Sequence, residues 1–554
     1  MLNNEQNAEE CDATGVDSSS EAGQIKNLMV QASSLVEYGS RRVIITITAI
    51  ICALLEIVDT TIVNVALNEM KGNLGATTNE IGWVVTAYAI GNVIIIPMTS
   101  WLSLQFGRRN YFTASIIIFT IFSFLCGNAT SIEELIIFRF LQGIGGGALL
   151  VTSQTIITES YPPEKRGMAQ AIYGMGVIIG PTLGPPLGGY ITEHFNWPYI
   201  FYINIPLGVI AALLTLQFVR SPKYAEKSAA SDIDWIGIGL LAIFVGCLQY
   251  VLEKGQEEDW FSSSTIIVLT VLSVLGCFFF IWRETTFRNP VVHLKVLGNG
   301  NLRIGTIMSF ILGFGLYGST FIIPLYTQSI LGWTPTQAGL LFVPAALTTA
   351  FMMPIIGQLL QKGAKQQYLV SLGLLAFFFF CFWGYNILTS DTSKATFFWP
   401  LILRGMSMGL LFIPITMLSL STLKGRQIGE GAAFTGMMRQ LGGSFGVAII
   451  STYMSRKIMV HRADLVGKLD VNNPSLQNKI TALQQGFIGK GLTPDVAMKS
   501  AYKAIDYTVT KQAAILSYMD AFLFIGVIFI FCIPFVLLVR GKKNKSMNVA
   551  EAMH

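Results

Sequence analysis

Residues 176–189 read Gly176-Val177-Ile178-Ile179-Gly180-Pro181-Thr182-Leu183-Gly184-Pro185-Pro186-Leu187-Gly188-Gly189, without a single charge. Glycines at 176, 180, 184 and 188 recur every fourth residue. At helical spacing they form one smooth face on which a second helix can pack closely. Pro181, Pro185 and Pro186 each remove a backbone donor and bend the helix. A smooth, bent helix suits an interface between two bodies that rock against each other. The stretch lies inside an uncharged block, 168–190, and that block is one of fourteen. Blocks of about 18 to 25 apolar residues have the length needed to cross a hydrocarbon core of about 30 Å as a helix. The blocks predict helices at 43–67, 80–104, 110–129, 133–158, 168–190, 197–219, 233–252, 264–283, 303–326, 336–361, 366–388, 396–421, 428–454 and 514–540.

Composition agrees with this reading. The chain has 554 residues, 52% of them hydrophobic and only 12% charged, with a mean hydropathy of +0.57. Soluble domains carry about 25% charged residues. An ordinary soluble enzyme, a disordered chain and a nucleic-acid binder are excluded. Fourteen spans leave only short loops, an acidic, Ser-rich N-terminal tail and one longer loop, so there is no room for a large catalytic domain. No nucleophile–base set or phosphate loop stands out, and Gly143-Ile144-Gly145-Gly146-Gly147 lies within an apolar block. Six of the seven cysteines fall in apolar blocks, and Cys11 lies in the tail. They read as small buried hydrophobes. The four histidines are scattered, so no metal site or cofactor is expected. The first 25 residues lack the apolar core of a signal peptide.

Lys and Arg fix the orientation. With the N-terminus inside, 22 of them fall in the tails and inside loops, among them Arg41, Arg42, Arg108, Arg109, Lys165 and Arg166. Only Lys71, Lys254 and Lys394 fall in short outside loops. Both termini are therefore expected in the cytoplasm. An internal repeat is also visible. Gly82, Pro97, Ser100 and Gly107 are echoed by Gly339, Pro354, Gly357 and Gly363, and Arg139-x-x-x-Gly143 by Arg404-Gly405-x-x-x-Gly409. The repeat predicts two six-helix halves, 41–220 and 301–540, with helices seven and eight inserted over 221–300. The tails are 1–40 and 541–554, and an outer loop occupies 455–513, with a short amphipathic helix possible over 482–488. Parallel repeats place a substrate site at the midplane between halves.

Charges inside spans are costly and point to function or pairing. Helix one carries Leu55-Glu56-Ile57-Val58-Asp59-Thr60-Thr61-Ile62-Val63-Asn64. Glu56, Asp59, Thr60 and Asn64 share a polar face at helical spacing. Two neighbouring carboxylates in low dielectric resist double ionisation, so one of them can load and release a proton. A structural hydrogen-bond cluster is the alternative. Arg139 keeps its proton and is expected to hold and tune a carboxylate or carbonyl partner. Arg404 and Arg439 read better as structural donors, and Asp520 is a second possible carboxylate. Met406, Met408, Met437 and Met438 offer adaptable apolar surface or plain packing.

On these motifs the chain resembles the major facilitator superfamily, and within it the fourteen-helix drug:proton antiporter branch of EmrB/QacA type. The resemblance covers about residues 40–540. It rests on Asp59-Thr60-Thr61-Ile62-Val63-Asn64-Val65-Ala66-Leu67, on Arg139 with Gln142 and Gly143, and on the helix-six entry Trp197-Pro198-Tyr199-Ile200-Phe201-Tyr202-Ile203-Asn204-Ile205-Pro206. Its most specific part is the antiporter motif with Gly176, Gly180, Pro181, Gly184, Pro185, Gly188 and Gly189. The resemblance implies an all-α polytopic membrane protein of 6 + 2 + 6 helices. It links the Arg139 motif to proton coupling, which with the carboxylates read above makes Asp59, Glu56 and Arg139 the proton-coupling candidates; Glu56 is a carboxylate that many members lack. One motif departs. After helix two the family has Gly and an Asp in a charge relay that locks the outward-open state; here Ser100 and Leu104 stand there, while Gly107, Arg108 and Arg109 of the cytoplasmic gate remain.

The expected activity is proton-driven antiport that exports amphipathic, often cationic, small molecules across a bacterial inner membrane. Asn64, Gln142, Met406, Met438 and Arg439 are candidate substrate contacts. The proton gradient is the energy source. A periplasmic adaptor and an outer-membrane channel are partners implied by the resemblance. The rival readings are an importer of peptides or metabolites on the same fold, or a membrane sensor or lipid-handling protein.

Overall fold

The computed structural model describes residues 35–222, 233–287, 289–470 and 472–538. The expected tails fall almost wholly outside these residues. Fifteen helices organise the description. They are α1 (Gly39–Asn73), α2 (Thr78–Phe106), α3 (Arg108–Gly127), α4 (Ile132–Ser160) and α5 (Arg166–His194). Next come α6 (Tyr199–Phe218), α7 (Trp235–Lys254), α8 (Ser264–Thr286), α9 (Gly300–Ser329) and α10 (Pro335–Gln361). The last are α11 (Gln366–Ile387), α12 (Lys394–Leu420), α13 (Arg426–Gly467), α14 (Pro474–Ile488) and α15 (Pro494–Leu538). No strand occurs among the described residues.

Local chemistry sets the boundaries. Thr77 and Glu80 close a reciprocal capping box at the start of α2, and Ser131 caps α4. Both satisfy backbone N–H groups that a helix start leaves open. Gly107 joins α2 to α3 at φ 81°, a left-handed geometry that glycine adopts without strain. Pro181, Pro185 and Pro186 all lie inside one continuous α5.

Among the described residues twelve helices are long and apolar enough to cross a membrane. The fifth and thirteenth expected spans, α5 and α13, fall below that measure. The reason is their glycines, prolines and charges, and their place in the bundle. α5 packs on α1 and α10, and α13 packs on α9, α2 and α4. Interior helices of this kind turn little surface to lipid. Helices α1–α6 pack among themselves, as do α9–α13 with α15. α7 pairs with α8 and lies against both α2 and α13.

The stretch 455–513 differs from the expected loop. α13 continues to Gly467, α15 begins at Pro494, and α14 packs on α15 between them. The amphipathic helix is longer than expected, Pro474–Ile488, and starts at an Asn473 cap followed by Pro474. Three helices therefore project beyond the bundle. Asp520 belongs to their base, within 3.2 Å of Lys457 Nζ and 2.9 Å of His461 Nε2.

Candidate functional site

Asp59 on α1 is fully buried and Arg139 on α4 is 1% exposed. Arg139 Nη1 donates to Asp59 Oδ2 at 2.6 Å. The second oxygen of Asp59 accepts from Gln142 Nε2 at 3.1 Å and from Asn204 Nδ2 at 2.8 Å. Arg139 also donates to Gln142 Oε1 at 2.7 Å and, through Nε, to the Val84 carbonyl at 3.1 Å. Ser123 on α3 accepts from Gln142 and from Asn204, and donates to the Phe201 carbonyl at 3.0 Å. The Tyr88 ring covers the guanidinium at 4.1 Å. Five helices of the first half thus converge on one carboxylate.

Glycine makes that convergence possible. A side chain at Gly143 would overlap the Tyr88 carbonyl, and one at Gly147 would overlap the Asn92 carbonyl. The α2 and α4 backbones touch there, which sets Arg139 at the right depth. Both oxygens of the buried carboxylate are hydrogen-bonded, one to the guanidinium and the other to two side-chain amides, so the two charges are desolvated together and compensate each other.

Glu56 lies elsewhere. Its Oε1 accepts from Asn92 Nδ2 at 2.9 Å, and its Oε2 is buried without a hydrogen-bond partner. The two carboxylates of helix one therefore do not share a proton directly. Glu56 instead lies within electrostatic reach of Arg439 on α13 and Tyr317 on α9. Arg439 stacks over Phe412 of α12 at 5.1 Å. Among the described residues no ion pair joins Glu56 to Arg439.

The remaining sequence candidates scatter. Asn64 is exposed, with its amide 3.4 Å from the Thr60 carbonyl. Met406 is 36% exposed, whereas Met438 is partly buried against an apolar cluster that α2, α4, α7 and α13 all contribute to. Arg404 is held by Ser319 and Thr320.

At the opposite end of α4, Arg108 binds Glu159 bidentately at 2.5 and 3.1 Å, both side chains buried. Leu104 takes no charge role; it lines a small cavity with Ser100, Arg108, Thr155, Arg426 and Gly429. The partner of Arg108 thus stands on α4 rather than at the α2 position that Leu104 fills. Here α2 meets α13 closely enough that a Cβ on Gly429 would be 3.0 Å from Ser100 Oγ. Arg109 contributes its backbone N–H to Ser221 at 3.1 Å.

The α5 glycines pack as their spacing predicts. Gly176 and Gly180 accept Ile50 and Ile57 of α1, and Gly188 lies where a Cβ would be 2.9 Å from the Ile62 carbonyl. On the other side Gly189 meets Thr336, and Pro185 would be 2.7 Å from a Cβ on Gly339. α5 thereby joins α1 of its own half to α10 of the other.

Sequence reasoning missed Ser123, Asn92 and Glu159. Asn204 was visible only as part of a motif. Lone Ser, Asn and helix-end Glu carry no spacing signal; only the packing brings them to Asp59, Glu56 and Arg108. Among the described residues no group of three or more His, Cys, Asp or Glu is placed to hold a metal ion.

Residues 49–447 match the model of the Major Facilitator Superfamily. The chain is 34% identical over 485 residues to the multidrug export protein EmrB of Escherichia coli K12, covering 87% of this chain and 92% of that protein. It is 33% identical over 497 residues to the fatty acid resistance protein FarB of Neisseria gonorrhoeae, covering 90% and 96%. The proton:xylose symporter XylE shares the fold, with a TM-score of 0.55 at 15% identity over 90% of this chain and 97% of that one. The chain belongs to the Major Facilitator Superfamily, a family of transporters and not of enzymes. It is a multi-pass membrane protein.

Proposed function

We propose that this protein is a proton-coupled antiporter that exports amphipathic small molecules, cationic drugs among them, from the cytoplasm. The observation that carries the reading is the Asp59–Arg139 pair: a dehydrated carboxylate that supplies the counter-charge of a buried guanidinium. Proton loading at Asp59 releases Arg139 and with it the α1–α4 arrangement. Substrate favours the charged arrangement, so proton and substrate select different conformations. Exchange needs only that difference in affinity. An inward potential of 100 mV adds about 2.3 kcal/mol per charge moved.

Glu56 and Arg439 offer a carboxyl group and a guanidinium for polar groups of the substrate, with Asn64, Gln142, Met406 and Met438 as further candidates. Tyr317 and Phe412 supply aromatic faces. The α5–α1 and α5–α10 contacts are the rocking surface, and Arg108–Glu159 with Gly107 and Arg109 forms the cytoplasmic gate. The Lys/Arg asymmetry supports a cytoplasmic position for both termini, fourteen spans in two halves with an inserted pair, and residence in a bacterial inner membrane. The helices over 455–513 then project outward. They expose Met459, Val460, Tyr502 and Tyr507, an apolar surface suited to an adaptor that continues to an outer-membrane channel. The relatives named for multidrug export and fatty acid resistance support the substrate class.

The test uses purified protein in proteoliposomes with an imposed pH gradient. Substrate addition should release protons from the wild type and not from Asp59→Asn. Substrate movement without proton counterflow in the wild type overturns the coupling.

A further inference from the structure

The second half contains a near copy of the Asp59 centre with its acid missing. Arg404 on α12 is 6% exposed. Its Nε donates to Ser319 Oγ at 3.0 Å, and its Nη2 to Thr320 Oγ1 at 2.7 Å and to the Leu316 carbonyl at 3.4 Å. All three partners lie on α9, the first helix of its half, as Asp59 lies on α1. The Phe342 ring of α10 covers the guanidinium at 5.2 Å, as Tyr88 of α2 covers Arg139. Three residues beyond each arginine stands a buried polar side chain. Gln142 there is fully bonded to Asp59, Ser123 and Arg139. Ser407 is completely buried, and its hydroxyl has no hydrogen-bond partner.

The charge balance differs accordingly. Among the described residues no Asp or Glu lies within ion-pair distance of Arg404. Its partners are neutral oxygens, and both α9 hydroxyls also donate to the Leu316 carbonyl. A buried guanidinium without a counter-ion is costly, and a buried orphan hydroxyl adds to the cost. Both groups stand one helical turn apart on the same face of α12, and Nη1 takes part in none of the bonds above. One monovalent anion accepting from Nη1 and from Ser407 Oγ corrects both deficits.

We propose that Arg404 and Ser407 form a binding site for a single monovalent anionic group, in the place where the first half keeps its own carboxylate. The group is either the carboxylate of an amphipathic substrate or a free halide. The site does not depend on proton coupling, so the proposed function can fail without it, and the reverse also holds.

The experiment measures binding on the full chain in detergent, using octanoate and chloride as separate probes and thermal shift as readout. Arg404→Gln removes the buried charge, and Ser319→Asp installs the acid that the first half has. Octanoate or chloride should stabilise the wild type, and both variants should weaken that affinity by at least about 10-fold, the range of a lost charge-assisted hydrogen bond. Ser407→Ala should weaken it less. Stabilisation by octanoate but not chloride assigns the site to a substrate carboxylate; the converse assigns it to a halide. If Ser319→Asp does not fold, Arg404→Gln, which buries less charge, decides alone. Anion affinity unchanged in Arg404→Gln, or no response of the wild type to either probe, overturns the proposal.

Discussion

Asp59→Asn is nearly isosteric, and it isolates charge from shape. The amide keeps one oxygen to accept from Arg139 or from Gln142 and Asn204, and replaces the other with a donor that faces donors. Arg139, 1% exposed, is left without its counter-charge. Breaking one side of a buried ion pair costs about 3–5 kcal/mol. Two opposing effects then separate. If the cost arises from stranding Arg139, Asp59→Asn with Arg139→Gln should recover most of it, since two neutral amides can bond in the same space. The assay is a thermal-unfolding series in detergent on the wild type, both single variants and the double variant. The expected coupling is at least about 1.5 kcal/mol, the scale of one charged hydrogen bond. The two single losses should far exceed the double loss. Additive losses, or an Asp59→Asn protein as stable as the wild type, would refute the claim that this pair is a charge-held switch.

Three further outcomes are expected. Gly188→Val and Gly339→Val place side chains 2.9 Å from the Ile62 carbonyl and 2.7 Å from Pro185, so α5 must leave α1 or α10. Transport in vesicles should fall at least about 10-fold with protein still in the membrane, whereas Gly486→Ala, where a Cβ meets nothing within 4 Å, should leave it unchanged. Glu159→Gln removes the charge that Arg108 grips bidentately, and should open the α2–α13 contact; a thiol placed by Ser100→Cys should label faster in the variant, and equal labelling would contradict the gate assignment. His293, between α8 and α9, has its pKa pushed down to about 4 by burial first and then by Arg426 and Lys295. The folded state therefore holds fewer protons than the unfolded state between about pH 6.5 and pH 4. Stability should be full above that window and decline as pH falls through it. His293→Gln should flatten thermal-shift curves over this range, and an unchanged slope would exclude His293 as the cause.

Much of the fold was legible because the bilayer imposes length and hydropathy on every span. Glycine spacing in α5 announced its packing, since a helix places residues four apart on one face. Asp59 and Arg139 were legible as costly charges. Other features were hidden for physical reasons. The glycines and prolines of α5, and the glycines with Glu430, Arg439 and Gln440 of α13, lower their hydropathy, which therefore understates their place in the bundle. The helices across 455–513 carry mixed polar sequence and acquire order by packing on one another.

The sequence by itself determined the helical class and a short set of intramembrane charges, because these follow from the local price of dehydration. Only the tertiary structure decided how those charges pair. Glu56 and Asp59 share a helical face at their spacing, yet α2 offers Asn92 to one and α4 offers Arg139 to the other. Likewise Arg108 turns to Glu159, 51 residues away. Partner choice depends on which helices cross at which depth, and the glycine contacts of α2 with α4 and of α5 with α1 set that depth.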